Sequence, residues 1–200
     1  MHELIQLLKS DMNPALGVTE PGAIAFAVST ACSYLDGEAE NIELRLNSGI
    51  YKNAFTCGIP SSPHLGNLYA AALGAIAADP SQGLECLSSV TPEDNEAAEK
   101  MIAEGRITVV LSEVSSRIHI EAVARCGDES AEVIIWDSHT NITCIKYNRE
   151  IVQGSDSYTE EQPESTESPI IHKYTLQDFV DLVNEVPFED IEFIKDAYRV

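Results

Sequence analysis

The sequence predicts an α+β fold, with helices packed on a small mixed or antiparallel sheet. Three observations carry this. Up to about residue 105 the apolar residues recur mainly at helical spacing; from Arg106 to about residue 150 they alternate with period two; from about residue 175 to 200 the helical spacing returns. Helical and period-two blocks are therefore segregated along the chain rather than interleaved.

In order, the first helix is expected over Glu3 to Asp11, with Leu4, Ile5, Leu7 and Leu8 facing inward and Pro14 breaking it. A turn through Gly17 leads to Thr19 as the expected N-cap of a second, half-buried helix, with Glu20 and Pro21 in its first turn. Ile24, Ala27, Val28, Ala31 and Leu35 then recur at helical spacing, with a stop near Asp36-Gly37. Unpaired N–H groups and the positive dipole end of such a first turn suit a small carboxylate. Ile42, Leu44 and Leu46 alternate with Asn41, Glu43 and Arg45 and read as a half-exposed strand. Residues 48–54 contain Gly49 and read as a break, in which Lys52 is a solvated turn residue.

Residues 58–66 form a loop rich in turn-formers, with His64 as a surface imidazole, and feed a helix of small residues over 68–78 that would let another helix approach closely. Thr91-Pro92-Glu93-Asp94 opens a capped helix that ends at Gly105. Strands carried by Ile107, Val109 and Leu111, by Ile118 to Ala124, and by Val133 and Ile135 are separated by turns at Ser115-Ser116 and Gly127-Asp128. They predict an antiparallel meander over 106–150, closing on Asp137-Ser138-His139-Thr140-Asn141-Ile142. His139 by itself is a turn residue. The stretch 154–169 carries acids and no base and reads as a loop without chemistry. Leu176, Phe179, Val180 and Val183, then Phe188, Ile191 and Ile194, restore helix over 175–200.

Composition narrows the function. Two hundred residues, 44% of them hydrophobic, suffice for one domain or two small ones. A net charge of −21, from 33 acids against 12 bases, argues against nucleic acid and against an anionic membrane surface. No apolar run has the length of a membrane span, and the first ten residues lack a signal-peptide layout, so a cytoplasmic protein is expected. Cys32, Cys57, Cys86, Cys126 and Cys144 include no Cys-x-x-Cys pair. Each reads as a small buried apolar residue, not part of a disulfide framework or a zinc site.

Five motifs add a resemblance. Pro14-Ala15-Leu16-Gly17-Val18-Thr19-Glu20-Pro21, Ser48 with Lys52-Asn53, Gly83-Leu84-Glu85-Cys86-Leu87, His139-Thr140-Asn141-Ile142, and Leu182 through Phe188 occur in collinear order. Together they resemble the L-cysteine desulfidase family, iron–sulfur relatives of bacterial L-serine dehydratase α chains. The resemblance implies a lyase that eliminates sulfide or water from the β-carbon of a small amino acid, leaving pyruvate and ammonia. It implies Thr19, Glu20, Lys52, Asn53, His139, Thr140 and Asn141 as substrate-binding candidates, Lys52 offsetting a carboxylate and Asn53 holding a polar group. It assigns no catalytic residue. The family implies a [4Fe–4S] cluster, but its first cysteine ligand is Val18 here, so no metal ligand and no cofactor are expected in this chain alone. The resemblance covers the N-terminal half of that family. It therefore implies a split or truncated enzyme acting with a separate C-terminal-half polypeptide, or as a homo-oligomer. Its alternative is a non-catalytic remnant, or a binding or regulatory subunit that has lost the cluster.

Overall fold

The computed structural model describes residues 2–12, 15–114, 118–155 and 170–198. Its elements are α1 (Glu3–Asp11), α2 (Thr19–Cys32), β1 (Asn41–Leu46), α3 (Ser48–Ala54), α4 (Asn67–Ile76), α5 (Pro92–Ala103), β2 (Ile107–Leu111), β3 (His119–Cys126), β4 (Glu129–Trp136), β5 (Ile142–Tyr147), β6 (Glu150–Gly154), α6 (Leu176–Glu185) and α7 (Phe188–Ile191), with short 3-10 turns at Pro80–Glu85, Ile170–Lys173 and Glu192–Tyr198. The expected α+β class is what the chain adopts. It forms two compact units, Ala15–Glu160 and a second made of Met1–Pro14 with Glu161–Val200.

The Ala15–Glu160 unit is built on a six-stranded mixed sheet in the order β2-β1-β3-β4-β5-β6. The alternation in β1 buries Ile42, Leu44 and Leu46, which join Ile120, Ala122 and Ala124 of β3 and Val133 and Ile135 of β4 in one apolar cluster. On the opposite face Arg45 pairs with Glu43 and Glu121, and Lys146 pairs with Glu132 across β4 and β5.

The meander prediction is corrected in its topology. β1 lies between β2 and β3, parallel to β2 and antiparallel to β3, because α3, α4 and α5 form the crossover between β1 and β2. Only β3 to β6 make the meander, and β5 and β6 extend it beyond the strands read from the sequence. The Gly127-Asp128 turn is where it was placed, with Gly127 at φ +53° between β3 and β4. The Ser115-Ser116 turn, Pro14 and residues 156–169 lie outside the described residues.

Helix α2 is not half-buried as expected. Ten of its residues between Pro21 and Ala31 are buried, and only Phe26 in that run is partly exposed. One side meets the sheet cluster and another meets α4, so an amphipathic pattern was never required. The small residues of α4 serve this contact: Ala70 to Gly74 are buried, and a Cβ built on Gly74 would lie 2.9 Å from the Ala25 Cα. The close approach expected at these small residues is thus made by α2. Residues 48–54 are helix α3 rather than a break, with Ile50 and Ala54 buried. Thr91 caps α5 in a reciprocal capping box with Asp94, as its sequence predicts.

In the other unit, Leu4 and Ile5 of α1 and Leu182 of α6 are buried together, with Leu7, Tyr174, Phe179, Val186, Ile191 and Phe193 packed on them. Thr175 and Asp178 form a second capping box at the start of α6. The Tyr174 hydroxyl donates to Glu3 at 2.8 Å.

Candidate functional site

Three segments of the Ala15–Glu160 unit converge at the start of α2. The chain turns through Gly17 at φ +74° and enters the helix with Val18, not Thr19, at the cap position; Val18 has extended backbone and makes no side-chain cap. Thr19 is thus the first helical residue, which corrects its expected role as N-cap. A valine has no acceptor to offer, so the residue at the cap position leaves the first-turn N–H groups without its help. Val18 is 44% exposed, which leaves this end open to solvent.

From this end Glu20 reaches α3 and Thr19 reaches the β4–β5 connection. Asn53 Nδ2 donates to Glu20 Oε1 at 3.0 Å, and the Thr19 hydroxyl lies 3.4 Å from Glu20 Oε2. Thr19 Oγ1 is also 3.3 Å from His139 Nε2, across 120 positions of sequence. The chain Asn53–Glu20–Thr19–His139 is continuous and has two proton arrangements. With Nε2 protonated, His139 donates to Thr19 and Thr19 donates to Glu20; in the other tautomer Thr19 donates to His139.

Burial depresses the His139 pKa below the usual histidine value, and the opposing pull of the Glu20 carboxylate is the smaller effect. At neutral pH the ring is therefore neutral and keeps one lone pair. Cys57, one turn beyond Asn53, donates its thiol to the Asn53 carbonyl at 2.5 Å. Desolvation, and then the Glu20 charge, raise its pKa, so it stays a thiol.

The structure thus brings together Thr19, Glu20, Asn53 and His139 among the sequence candidates, and adds Cys57. Lys52 is exposed and, among the described residues, makes no ion pair. Thr140 is exposed. Asn141 is occupied in closing its own turn: its side-chain amide donates to the Trp136 carbonyl at 3.0 Å, and its backbone carbonyl accepts from Trp136. Cys57, expected as a small buried apolar residue, is only partly buried. It lies beyond the end of α3, and its thiol reaches back to the Asn53 carbonyl, a contact that no spacing pattern in the sequence marks. Among the described residues, no group of three or more His, Cys, Asp or Glu side chains is placed to hold a metal ion.

No family model and no solved structure matches this chain. Its sequence is similar to UPF0597 proteins of several bacteria. One from Klebsiella pneumoniae is 35% identical over 196 residues, 98% of this chain and 45% of that protein. One from Clostridium botulinum is 32% identical over 201 residues, covering 98% and 47%, and one from Shewanella baltica is 35% identical over 195 residues, covering 98% and 46%. The chain spans about half the length of the curated relatives it matches.

These relatives correct the resemblance drawn from the motifs. They carry the name UPF0597 protein, not L-cysteine desulfidase or L-serine dehydratase, and that name states no activity. The β-elimination reading therefore falls, as do the descriptions lyase and iron–sulfur. The split or truncated enzyme falls with it, as does the remnant or subunit that has lost a cluster.

Proposed function

We propose that the Ala15–Glu160 unit binds a small zwitterionic solute, an amino acid or close analogue, at the start of α2. The observation that carries this is the hydrogen-bonded chain Asn53–Glu20–Thr19–His139 standing at a helix end whose cap residue, Val18, makes no side-chain cap. Each half of a zwitterion finds a complement there. A carboxylate accepts from first-turn N–H groups at the positive end of the dipole. An ammonium donates to Glu20, whose two oxygens accept from Asn53 and Thr19 and take no other hydrogen bond among the described residues. Neutral His139 holds Thr19 in place without adding a cation that would repel the ammonium. The five cysteines are free, which supports a reducing, cytoplasmic setting. No helix of the described residues is long and apolar enough to cross a membrane.

Titration calorimetry with glycine, L-alanine, L-serine and L-aspartate tests this. At least one should bind, and Glu20→Gln should weaken it by about tenfold or more, the value of one charge-assisted hydrogen bond. No heat with any of the four at 10 mM solute, or affinity unchanged in Glu20→Gln, would overturn the reading.

A further inference from the structure

Helix α6 carries apolar residues on two sides. Phe179, Leu182 and Val186 pack into the small cluster with α1. Leu176, Val180 and Val183, spaced four and three apart, share another side and are exposed by 84%, 50% and 63%. Phe188, at the start of α7, is 51% exposed as well. A helix with one core to face needs one apolar stripe. Among the described residues of the unit formed by Met1–Pro14 and Glu161–Val200, the buried apolar ones are Leu4, Ile5 and Leu182, and the second stripe is not part of that cluster. A core that small is well below what holds an independent domain together. The helix itself is acidic: α6 contributes Asp178, Asp181 and Glu185 and contains no Lys or Arg, while Lys195 lies over the Phe188 ring.

The relatives contain polypeptide that this chain does not match. In the Klebsiella protein the matched part is 45%, so more than half of its length has no counterpart here. We propose that the Leu176–Val180–Val183 face of α6 seats that polypeptide, in the same chain or as a separate one. The seat defines its chemistry: an apolar patch that completes the core around α6, rimmed by Lys or Arg to meet Asp178, Asp181 and Glu185. This is independent of the ligand reading at α2, because none of these residues belongs to that site.

The test co-expresses the full chain with the unmatched part of the Klebsiella relative as a separate tagged polypeptide. A stoichiometric complex is expected by light scattering, weakening as salt rises from 50 to 500 mM. Leu176→Glu with Val183→Glu should lower its affinity at least tenfold, and Leu176→Ser with Val183→Ser by less. Trp136 fluorescence, which reports the Ala15–Glu160 unit, should be unchanged in both variants. As a second measurement, fusing the same polypeptide to the chain should slow amide exchange in α6.

Absence of a complex together with unslowed α6 exchange in the fusion overturns the proposal. So does a complex indifferent to both double substitutions. A dimer of the chain alone that the same substitutions dissociate would assign the face to a second copy. A fall in the melting temperature of the uncomplexed chain would assign it to the chain's own fold.

Discussion

Replacing Gly74 by alanine sets two effects of opposite sign against each other. Alanine is favoured over glycine inside a helix by about 1 kcal/mol. At Gly74, however, the new Cβ would sit 2.9 Å from both the Cα and the carbonyl oxygen of Ala25 and 3.1 Å from the Val28 Cβ. Two of those neighbours are backbone atoms of a buried helix, which cannot rotate away. Overpacking of this kind costs about 1–3 kcal/mol, and rigid neighbours put this site in the upper part of that range. The expected net effect is a loss of about 1–2 kcal/mol despite the gain in propensity. Urea unfolding followed by Trp136, the single tryptophan, reports the unit that contains α2 and α4. At the usual urea sensitivity of a small domain, the midpoint should fall by about 1 M with little change in slope. Val28→Ala in the same chain should restore none of it, because alanine keeps the Cβ that the new methyl meets and the backbone contacts remain. A midpoint unchanged or raised in Gly74→Ala would refute the close α2–α4 approach.

His119 and His139 are both held below the ordinary histidine pKa, chiefly by burial. The folded state thus binds these protons more weakly than the unfolded chain; stability is full above about pH 6.5 and falls as pH drops below it. The urea midpoint should decline from pH 7 to 5.5, and less steeply in His119→Phe; a flat profile would contradict this. Thr91→Ala removes one half of the capping box on α5 and should cost about 1 kcal/mol, read as a lower midpoint, while Thr91→Asp should keep most of it.

What the sequence showed of the fold follows from which signals are local. The capping box at Thr91, the alternation in Asn41–Leu46 and the tight turn at Gly127 each depend on residues a few positions apart, and each stands where the pattern puts it. The insertion of β1 between β2 and β3 does not. Period two marks a strand as half-buried but carries no record of its neighbour, and only the helical crossover from β1 to β2 allows a parallel pair. The near-complete burial of α2 was equally hidden. Its run of alanines and valines fits one buried face as readily as several, and the difference lies in α4, more than thirty residues away.

The candidate site shows the same division at the scale of single residues. Lys52 and Asn53 are adjacent, and motif reasoning treated them as a pair. In a turn they could both have faced one ligand. In helix α3 neighbours diverge by about 100° around the axis, so one that reaches Glu20 sends the other elsewhere. Both are exposed, and Asn53 takes the position that faces Glu20. Among Asp137 to Ile142 the selection is made by the turn: Asp137 at φ +64° reverses the chain, Asn141 is consumed in closing it, and His139 is left to reach Thr19. A site read from the sequence was therefore a set of candidate side chains. The helix phase and the turn closure chose its members, and the chain just beyond the end of α3 brought in Cys57, which no motif had named.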